Sequence, residues 1–319
     1  MAQLDFSTPK VVALGGGHGL AATLSALRKL THQITAIVTV ADNGGSSGRL
    51  REEFDILPPG DLRMALTALC SDDDWGRSWA EILQYRFTSE GNLNQHTVGN
   101  LLLTALWDRD GDFVAGLDRV GSLLRVVGRV LPMASTPLDI EGTFQTSIGR
   151  IVVRGQKEVA LAKGRLESIR IIPENPQARP EALSAIDSAD FITMGPGSWL
   201  TSVLPHLMVP AQRDALAASK AKKIILLNLD AHPSAGGDEF AGYTPEEHLQ
   251  LLNQYAPSLR FDFVIADQSG IRDLPNLEAV VEGYGGSLIT ADLRRAPGAI
   301  HHNIEKLSRE FQSIFSSKQ

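Results

Sequence analysis

The most constraining feature of this sequence is a strand, a glycine-rich loop, a helix and a second strand within residues 11–40. The apolar run Val11 to Leu14 stops at three consecutive glycines, and a second apolar run covers Ile34 to Val40. Between them, apolar residues at 20, 24, 27 and 30 follow the spacing of a helix. A unit of this length and order forms a right-handed crossover between parallel strands. It therefore predicts a parallel α/β sheet.

The rest of the chain repeats this alternation. Strand-like runs at 191–194, 224–229 and 261–266 are separated by helical segments, and the middle of the chain is largely helical. Residues 126–172 differ, because short β-branched runs alternate there with glycine and threonine. We predict one doubly wound, mostly parallel, Rossmann-like α/β domain over residues 1–319, with inserted helices and a hairpin-rich subdomain at about 126–172.

The composition excludes several classes of protein. A formal net charge of −7 argues against nucleic acid or an anionic membrane surface as the main partner. Apolar runs such as 224–227 are too short to cross a bilayer. A single cysteine, Cys70, excludes an internal disulfide and is typical of a reducing compartment. The first ten residues do not have the pattern of a signal peptide. We expect a cytoplasmic protein without a membrane span.

Two glycine-rich loops follow predicted strands and lead into helices. Glycine lets the backbone approach a phosphate, and the N-terminus of the following helix adds N–H donors and the positive end of its dipole. The predicted ligand residues of the first loop, LGGGHGLAATL, are Gly15, Gly16, Gly17, His18 and Gly19. Those of the second loop, TMGPGSWLTSV, are Gly195, Gly197, Ser198 and Thr201.

The first loop departs from the spacing of dinucleotide-binding loops, because its last glycine comes one residue early, at Gly19. Two interpretations therefore stay open for this loop. Either it binds phosphate, or it is a tight turn between strand and helix that keeps its glycines for packing. His18 either contacts the phosphate or caps the turn.

A third candidate is the stretch TVADNGGSSGRLR at 39–51, after the second strand. Asp42 ends that strand, where a carboxylate accepts hydrogen bonds from ribose hydroxyls or holds a hydrated Mg²⁺ ion. Serine hydroxyls donate to phosphate, and arginine binds it with two parallel hydrogen bonds. The predicted ligand residues are Asp42, which is also the candidate metal ligand, and Asn43, Gly44, Gly45, Ser46, Ser47 and Arg49. The alternative is a solvated surface loop.

Four more polar residues are candidates. Asp61 lies at the start of a predicted helix, where it either faces the ligand or caps the helix with Arg63 exposed. His96 and Asn100 lie about one helical turn apart, and they either face the site or satisfy buried backbone groups. Asn228 ends a strand, where it either contacts a base or sugar edge or forms a turn. The sequence has no zinc-type spacing, no P-loop and no nucleophile elbow.

Several segments together resemble the gluconeogenesis-factor family. They are VVALGGGHGL, ITAIVTVADNGGSSGRLR, ILPPGDLRMAL, ILQYRF, HTVGNLLL, GRVLP, GPGSWLTSVLPHLMVP and GYT. The histidine in GGGHG is most similar to actinobacterial members. The resemblance implies a bacterial cytosolic protein that binds uridine-diphosphate sugars and supports cell shape on gluconeogenic carbon sources. The family shares a superfamily with 2-phospho-L-lactate transferase, an enzyme of deazaflavin coenzyme synthesis.

The resemblance leaves two functions open. The first is a non-catalytic regulatory protein that binds a sugar such as uridine-diphosphate N-acetylglucosamine, requires no cofactor, contacts cell-wall or morphology proteins and forms a homodimer. The second is a Mg²⁺-dependent transferase in which an acceptor hydroxyl attacks phosphorus and a nucleotide leaves. Relatives show two acids before GGSSGRL, whereas this chain has Asn43 at the second position. The missing charge favours the binding protein.

Overall fold

The computed structural model describes residues 8–229 and 244–317. The first two residues of the GYT segment, 242 and 243, lie outside these ranges. Within the ranges, the strands in chain order are β1 Val11–Gly15, β2 Ile34–Val38, β3 Arg129–Pro132, β4 Asp139–Thr146, β5 Gly149–Arg154, β6 Arg165–Ile172, β7 Phe191–Met194, β8 Lys222–Leu226, β9 Phe263–Asp267 and β10 Ser287–Ala291.

The main sheet contains seven parallel strands in the order β10-β9-β8-β7-β1-β2-β3. From β1 the chain moves outward to β2 and β3 on one side. It returns on the other side of β1 with β7 and continues outward through β8, β9 and β10. The strand order therefore reverses between β1 and β7, the kind of switch point at which open α/β sheets bind ligands. The predicted doubly wound α/β fold is confirmed.

Helices lie between successive strands of the main sheet. In chain order, those of the described ranges are α1 Gly17–Leu27, α2 Gly45–Phe54, α3 Pro59–Ala68, α4 Asp74–Gln84, α5 Val98–Asp110, α6 Phe113–Leu124, α7 Gln156–Ala160, α8 Pro180–Ser188, α9 Pro205–Met208, α10 Pro210–Ala218, α11 Pro245–Tyr255, α12 Leu274–Gly283 and α13 Ile304–Ser316. A π-helix covers Trp199–Val203. Every residue of β1 and β7 is buried, as expected for parallel strands covered on both faces.

The helices that follow β2 form the surroundings of the first glycine loop. Helix α3 packs against α1, α2 and α5, so side chains from three separate parts of the chain meet beside the first glycine loop. The closing helix α13 packs against α1, with Phe311 fully buried. No helix of the described ranges combines the length and the apolar character that a membrane span requires.

The small antiparallel sheet has the order β5-β4-β6 and covers 139–172. It accounts for most of the stretch predicted to be hairpin-rich. The first part of that stretch has a different role, because Arg129–Pro132 forms the edge strand β3 of the main sheet. Helix α7 lies between β5 and β6 and packs against the small sheet.

One local prediction differs from the structure. The stretch 39–51 is predicted as a loop, but α2 begins within it at Gly45, after Gly44 in an extended conformation. The segment GSSG has low helix propensity. Burial of Leu50, together with the hydrogen bonds of Ser46 and Ser47 to neighbouring helices, stabilises the helix in spite of that propensity.

Candidate functional site

The two glycine-rich loops meet at the switch point between β1 and β7. A side chain at Gly19 would overlap the carbonyl oxygen of Pro196, so only glycine fits at this approach. Thr23 of α1 donates a 3.0 Å hydrogen bond to the carbonyl of Gly195. The two predicted loops therefore form one continuous surface that includes the first turn of α1.

Polar side chains hold the second loop in shape. Ser198 accepts a 3.1 Å hydrogen bond from the N–H of Thr201 and also bonds to the Thr201 hydroxyl. Asn228 accepts from the N–H of Gly197 at 2.8 Å and donates to the Gly197 carbonyl at 2.9 Å. In this structure Asn228 stabilises a turn. Its predicted contact with a base or sugar stays a prediction.

Two carboxyl groups lie beside the first loop. Asp61 accepts a 3.3 Å hydrogen bond from the Thr39 hydroxyl and another from the N–H of Gly17. Asp42 accepts a 2.8 Å hydrogen bond from the N–H of Gly44. Burial of the carboxyl group, together with the negative charge of Asp42, raises the pKa of Asp61 to about 7. Asp42 and Asp61 therefore act on each other electrostatically beside the first glycine loop.

A chain of hydrogen bonds runs from α5 through α2 to α3. The Ser46 hydroxyl lies 2.9 Å from Nδ1 of His96 and accepts a 3.0 Å hydrogen bond from Nδ2 of Asn100. Asn100 accepts a 3.0 Å hydrogen bond from Nε of Arg63. Burial, and next the charge of Arg49, lower the pKa of His96, which favours a neutral ring that accepts from Ser46. His96 and Asn100 therefore bind side chains of the site.

Arg63 also lies in this region, although it is not among the ligand residues predicted from the sequence. Its exposed fraction is only 5%, although the interpretation of Asp61 as a helix cap has Arg63 exposed. The structure does not show that cap, since α3 begins after Pro58 with no side-chain hydrogen bond. The stem of Arg63 lies over Gly99, where a Cβ would be 2.8 Å from its Cγ and Cδ. One signal is present in the sequence: in DLRMAL the arginine lies among residues of a buried helix face.

The second serine ties α2 to α3. Ser47 accepts a 3.0 Å hydrogen bond from the N–H of Gly60, and both predicted serines lie in the first turn of α2. A Cβ at Gly60 would lie 2.9 Å from Oδ2 of Asp42. The N-terminus of α2 therefore lies close to the acidic side of the site, with Gly44 and Gly45 forming its start.

Arg49 and His18 lie at the solvent-exposed border of the candidate site. Arg49 is exposed and donates hydrogen bonds to the carbonyls of Asn92, at 3.1 Å, and Asn94, at 2.7 Å. Its predicted contact with a diphosphate stays a prediction. His18 is exposed, and its pKa is lowered by partial burial and by the charges of His301 and Arg63. The first glycine loop therefore lies within electrostatic reach of Arg63.

Asn43 contacts the small subdomain. Its Nδ2 donates a 2.8 Å hydrogen bond to the Glu158 carboxylate, and its Oδ1 accepts a 3.1 Å hydrogen bond from the N–H of Lys157. An amide donates and accepts at once, whereas an ionised carboxylate only accepts. An amide therefore suits this position, where it links the start of α2 to α7.

Comparison with known proteins assigns the family. The sequence profile of the family described as 2-phospho-L-lactate transferase CofD matches residues 11–282. The chain belongs to the CofD family. A Mycobacterium tuberculosis relative, provisionally named gluconeogenesis factor, is 46% identical over 96% of this chain and 90% of its own length. The gluconeogenesis factor of Listeria innocua is 36% identical and covers 97% of both chains.

A solved structure shows the same fold in a relative. A crystal structure of a Bacillus halodurans protein of the UPF0052 family superimposes with a TM-score of 0.82 and 31% identity. The match covers 96% of this chain and 99% of that one. Together with the named relatives, it places the chain in the gluconeogenesis-factor group of the CofD family.

The two acids beside the first glycine loop have the chemistry of Mg²⁺ ligands. This ion is usually bound by one or two carboxylates together with waters and substrate phosphates. Asp42 and Asp61 supply such a pair. Within the described ranges, no three Asp, Glu, His or Cys side chains come together as a metal site. Mg²⁺ would therefore be held jointly with a phosphate-bearing ligand, and Asn43 would not be one of its ligands.

A separate cavity of about 500 Å³ lies between α2 and the small sheet of this CofD-family chain. Its lining includes Arg51, Asp139 and Arg154. The Asp139 carboxylate pairs with Arg51 at 2.6 Å and with Arg154 at 2.5 Å. Asn43 also lines this cavity, but none of its lining residues belongs to the two glycine loops. We place the candidate site at the switch point, where the loops, the two acids and Arg63 converge.

Proposed function

We propose that this gluconeogenesis-factor relative is a cytosolic, non-catalytic binding protein for a uridine-diphosphate sugar. Uridine-diphosphate N-acetylglucosamine is the first candidate. In this proposal the ligand-bound protein, as a homodimer, acts on cell-wall or morphology proteins during growth on gluconeogenic carbon sources. No cofactor is required for binding, and Mg²⁺ has at most an accessory role.

The meeting of two glycine-rich loops at the switch point is the observation that supports this proposal most. Each loop leads to a helical N-terminus with backbone N–H donors, at α1 and at the π-helix after Gly197. Such N-termini bind anionic groups. Neighbouring strands lie about 4.8 Å apart, so loops on β1 and β7 are suitably spaced for two linked phosphates.

The experiment is titration calorimetry with uridine-diphosphate N-acetylglucosamine. We expect a micromolar dissociation constant, and a free energy of unfolding raised by about 2.7 kcal/mol at 100 times that constant. Gly16→Ala should weaken binding at least about tenfold, because the new Cβ would lie 2.5 Å from Oδ2 of Asp61. Gly283→Ala, where a Cβ meets open space, is the matched control. Binding of guanosine but not uridine nucleotides would refute the proposal.

The pairing of Asp42 with Asp61 favours a second candidate, a Mg²⁺-dependent transferase of phosphorus-containing groups. In that case the acids would hold the ion against the phosphates of the donor. We expect instead that a chelator changes nucleotide-sugar affinity by less than about tenfold. Incubation of the protein with donor and Mg²⁺, followed by chromatography, should show no nucleotide release. Release over many turnovers would establish the transferase.

A further inference from the structure

We infer that Arg63 is the cation that binds the phosphate oxygens of the ligand, and that the Ser46–Asn100 pair holds its guanidinium in place. This inference rests on the proposed function, since it names the residue that recognises the diphosphate. The sequence motifs alone did not predict that Arg63 is a ligand residue.

The first observation is that the Arg63 side chain is buried, yet its outer nitrogens Nη1 and Nη2 have no hydrogen-bond acceptor within the described residues. Arg63 is 5% exposed, and arginine is almost never buried to this degree unless it is paired. Its guanidinium carries five N–H donors, of which the Nε donor is bonded to Asn100. Within the described part of the chain, Nη1 and Nη2 hydrogen-bond to no protein atom. They are therefore available to an anionic ligand.

The second observation is that the guanidinium has little freedom to move. Asn100 fixes its Nε at 3.0 Å, and Ser46 fixes Asn100 at 3.0 Å. His96 lies 2.9 Å from the same hydroxyl, and the aliphatic stem of Arg63 lies against the backbone of Gly99. A side chain held in this way loses little conformational entropy on binding, so its contacts contribute more to affinity.

The third observation is the position of Arg63 relative to the glycine loops. Its charge acts on His18 of the first loop and on Asp61, which accepts from the N–H of Gly17. Asp42 and Asp61 lie near enough to favour the charged guanidinium, but within the described residues its hydrogen bond is to Asn100 and not to either acid. Burial lowers the pKa of Arg63 to about 10, so the group stays cationic at neutral pH.

The neighbouring backbone favours phosphate over a carboxylate as the ligand group. The two outer nitrogens of a guanidinium match both anions. Phosphate has more acceptor oxygens than a carboxylate, so it can bond to the guanidinium and also accept from N–H groups of the glycine loop and the first turn of α1. Arg63 then supplies a full positive charge beside donors that carry only partial charges.

The test compares four proteins by titration with uridine-diphosphate N-acetylglucosamine. Arg63→Met keeps the stem and should weaken binding by about 30-fold or more. Arg63→Lys should recover only part of this loss, because an ammonium cannot form the planar pair of hydrogen bonds. Arg109→Met is the control for lost charge, since Arg109 is exposed at the opposite end of α5 from Asn100. It should bind within about twofold of wild type.

Urea unfolding of each variant shows that the fold is retained. If wild type binds the sugar nucleotide and Arg63→Met binds it within threefold of wild type, on the order of experimental scatter, the inference is wrong and the proposed function stands. If wild type does not bind, the proposed function fails and inorganic pyrophosphate becomes the probe. Thermal stabilisation by pyrophosphate in wild type that is lost in Arg63→Met then supports the role of Arg63. Equal or absent stabilisation in both proteins refutes it.

Discussion

Two buried arginines lie beside acids near the same edge of the main sheet, and their surroundings differ. The open cluster consists of Arg63 with Asp61 and Asp42, beside the loops that follow β1 and β2. The closed cluster consists of Arg294 with Asp267, the last residue of β9. The exposed fractions of the two arginines are nearly equal, at 5% for Arg63 and 7% for Arg294.

In the closed cluster every guanidinium nitrogen has an acceptor. Nε of Arg294 donates to Asp267 at 3.2 Å and to the Ser269 hydroxyl at 2.8 Å. Its Nη1 donates to the carbonyl of Ala299 at 2.8 Å, and its Nη2 donates to that of Leu229 at 2.6 Å. Arg294 therefore joins the ends of β8 and β9 to the segment after β10.

The pKa values of the two acids shift in opposite directions. Burial alone would raise the pKa of Asp267, but hydrogen bonds from Ser269 and from the Leu293 N–H, together with the charge of Arg294, hold it below its usual range. Burial and Asp42 raise the pKa of Asp61 to about 7. The contrast indicates that the closed cluster completes the fold by itself. The open cluster is complete only when a ligand supplies acceptors for Arg63.

The largest expected effect is on stability. Arg294→Met should lower the free energy of unfolding by about 3–5 kcal/mol, because it leaves Asp267 buried without its partner. Arg63→Met should change it by less than about 1 kcal/mol, since it removes a buried charge that forms no ion pair. Urea unfolding of both variants measures the difference. Equal losses would remove the distinction between the clusters.

The second prediction uses pH to compare the two acids. The pKa of Asp61 is higher in the folded state than in the unfolded state, so the folded state binds a proton more tightly at this group. The free energy of unfolding therefore falls as pH rises from about 4 to 7. Asp61→Asn removes this titration. It should raise the free energy of unfolding relative to wild type by about 2 kcal/mol at pH 8, and by little at pH 4.5.

Asp267→Asn is the matched variant, and its pH dependence should have the opposite sign. The folded pKa of Asp267 is below its unfolded value, so its contribution is present at neutral pH and is lost as pH falls through the folded pKa. The variant should be less stable than wild type at pH 7, and the deficit should shrink in acid. Parallel pH profiles for the two variants would contradict the comparison.

The smallest expected effect tests the border of the open cluster. Asn43→Asp should lower the free energy of unfolding by about 1 kcal/mol, because a carboxylate would face the Glu158 carboxylate that now accepts from the amide. Asn43→Asp combined with Glu158→Gln should restore most of the loss. A gain in Mg²⁺ affinity in calorimetry, without loss of stability, would show instead that residue 43 belongs with Asp42 and Asp61.

Some features of the site could be predicted from local sequence patterns. The glycine loops, Asp42, Ser46, Asp61 and Asn100 were selected from the sequence, and the structure brings them together near the switch point. The position of Arg49 could not be predicted, because its hydrogen bonds depend on how the segment at 92–94 folds against α2. The edge strand β10 carries no fully buried residue, so its sequence has no buried-strand pattern.

The sequence alone determined the crossover from β1 to β2 and the positions of the two glycine-rich loops, because glycine residues and apolar spacing act over short distances along the chain. Only the tertiary structure decided which cation faces the ligand and which amide faces the subdomain. Arg63 and Asn100 are 37 residues apart, and Asn43 and Glu158 are 115 apart. Such pairs form only when α2, α3, α5 and α7 pack, and no local pattern specifies which side chains then meet.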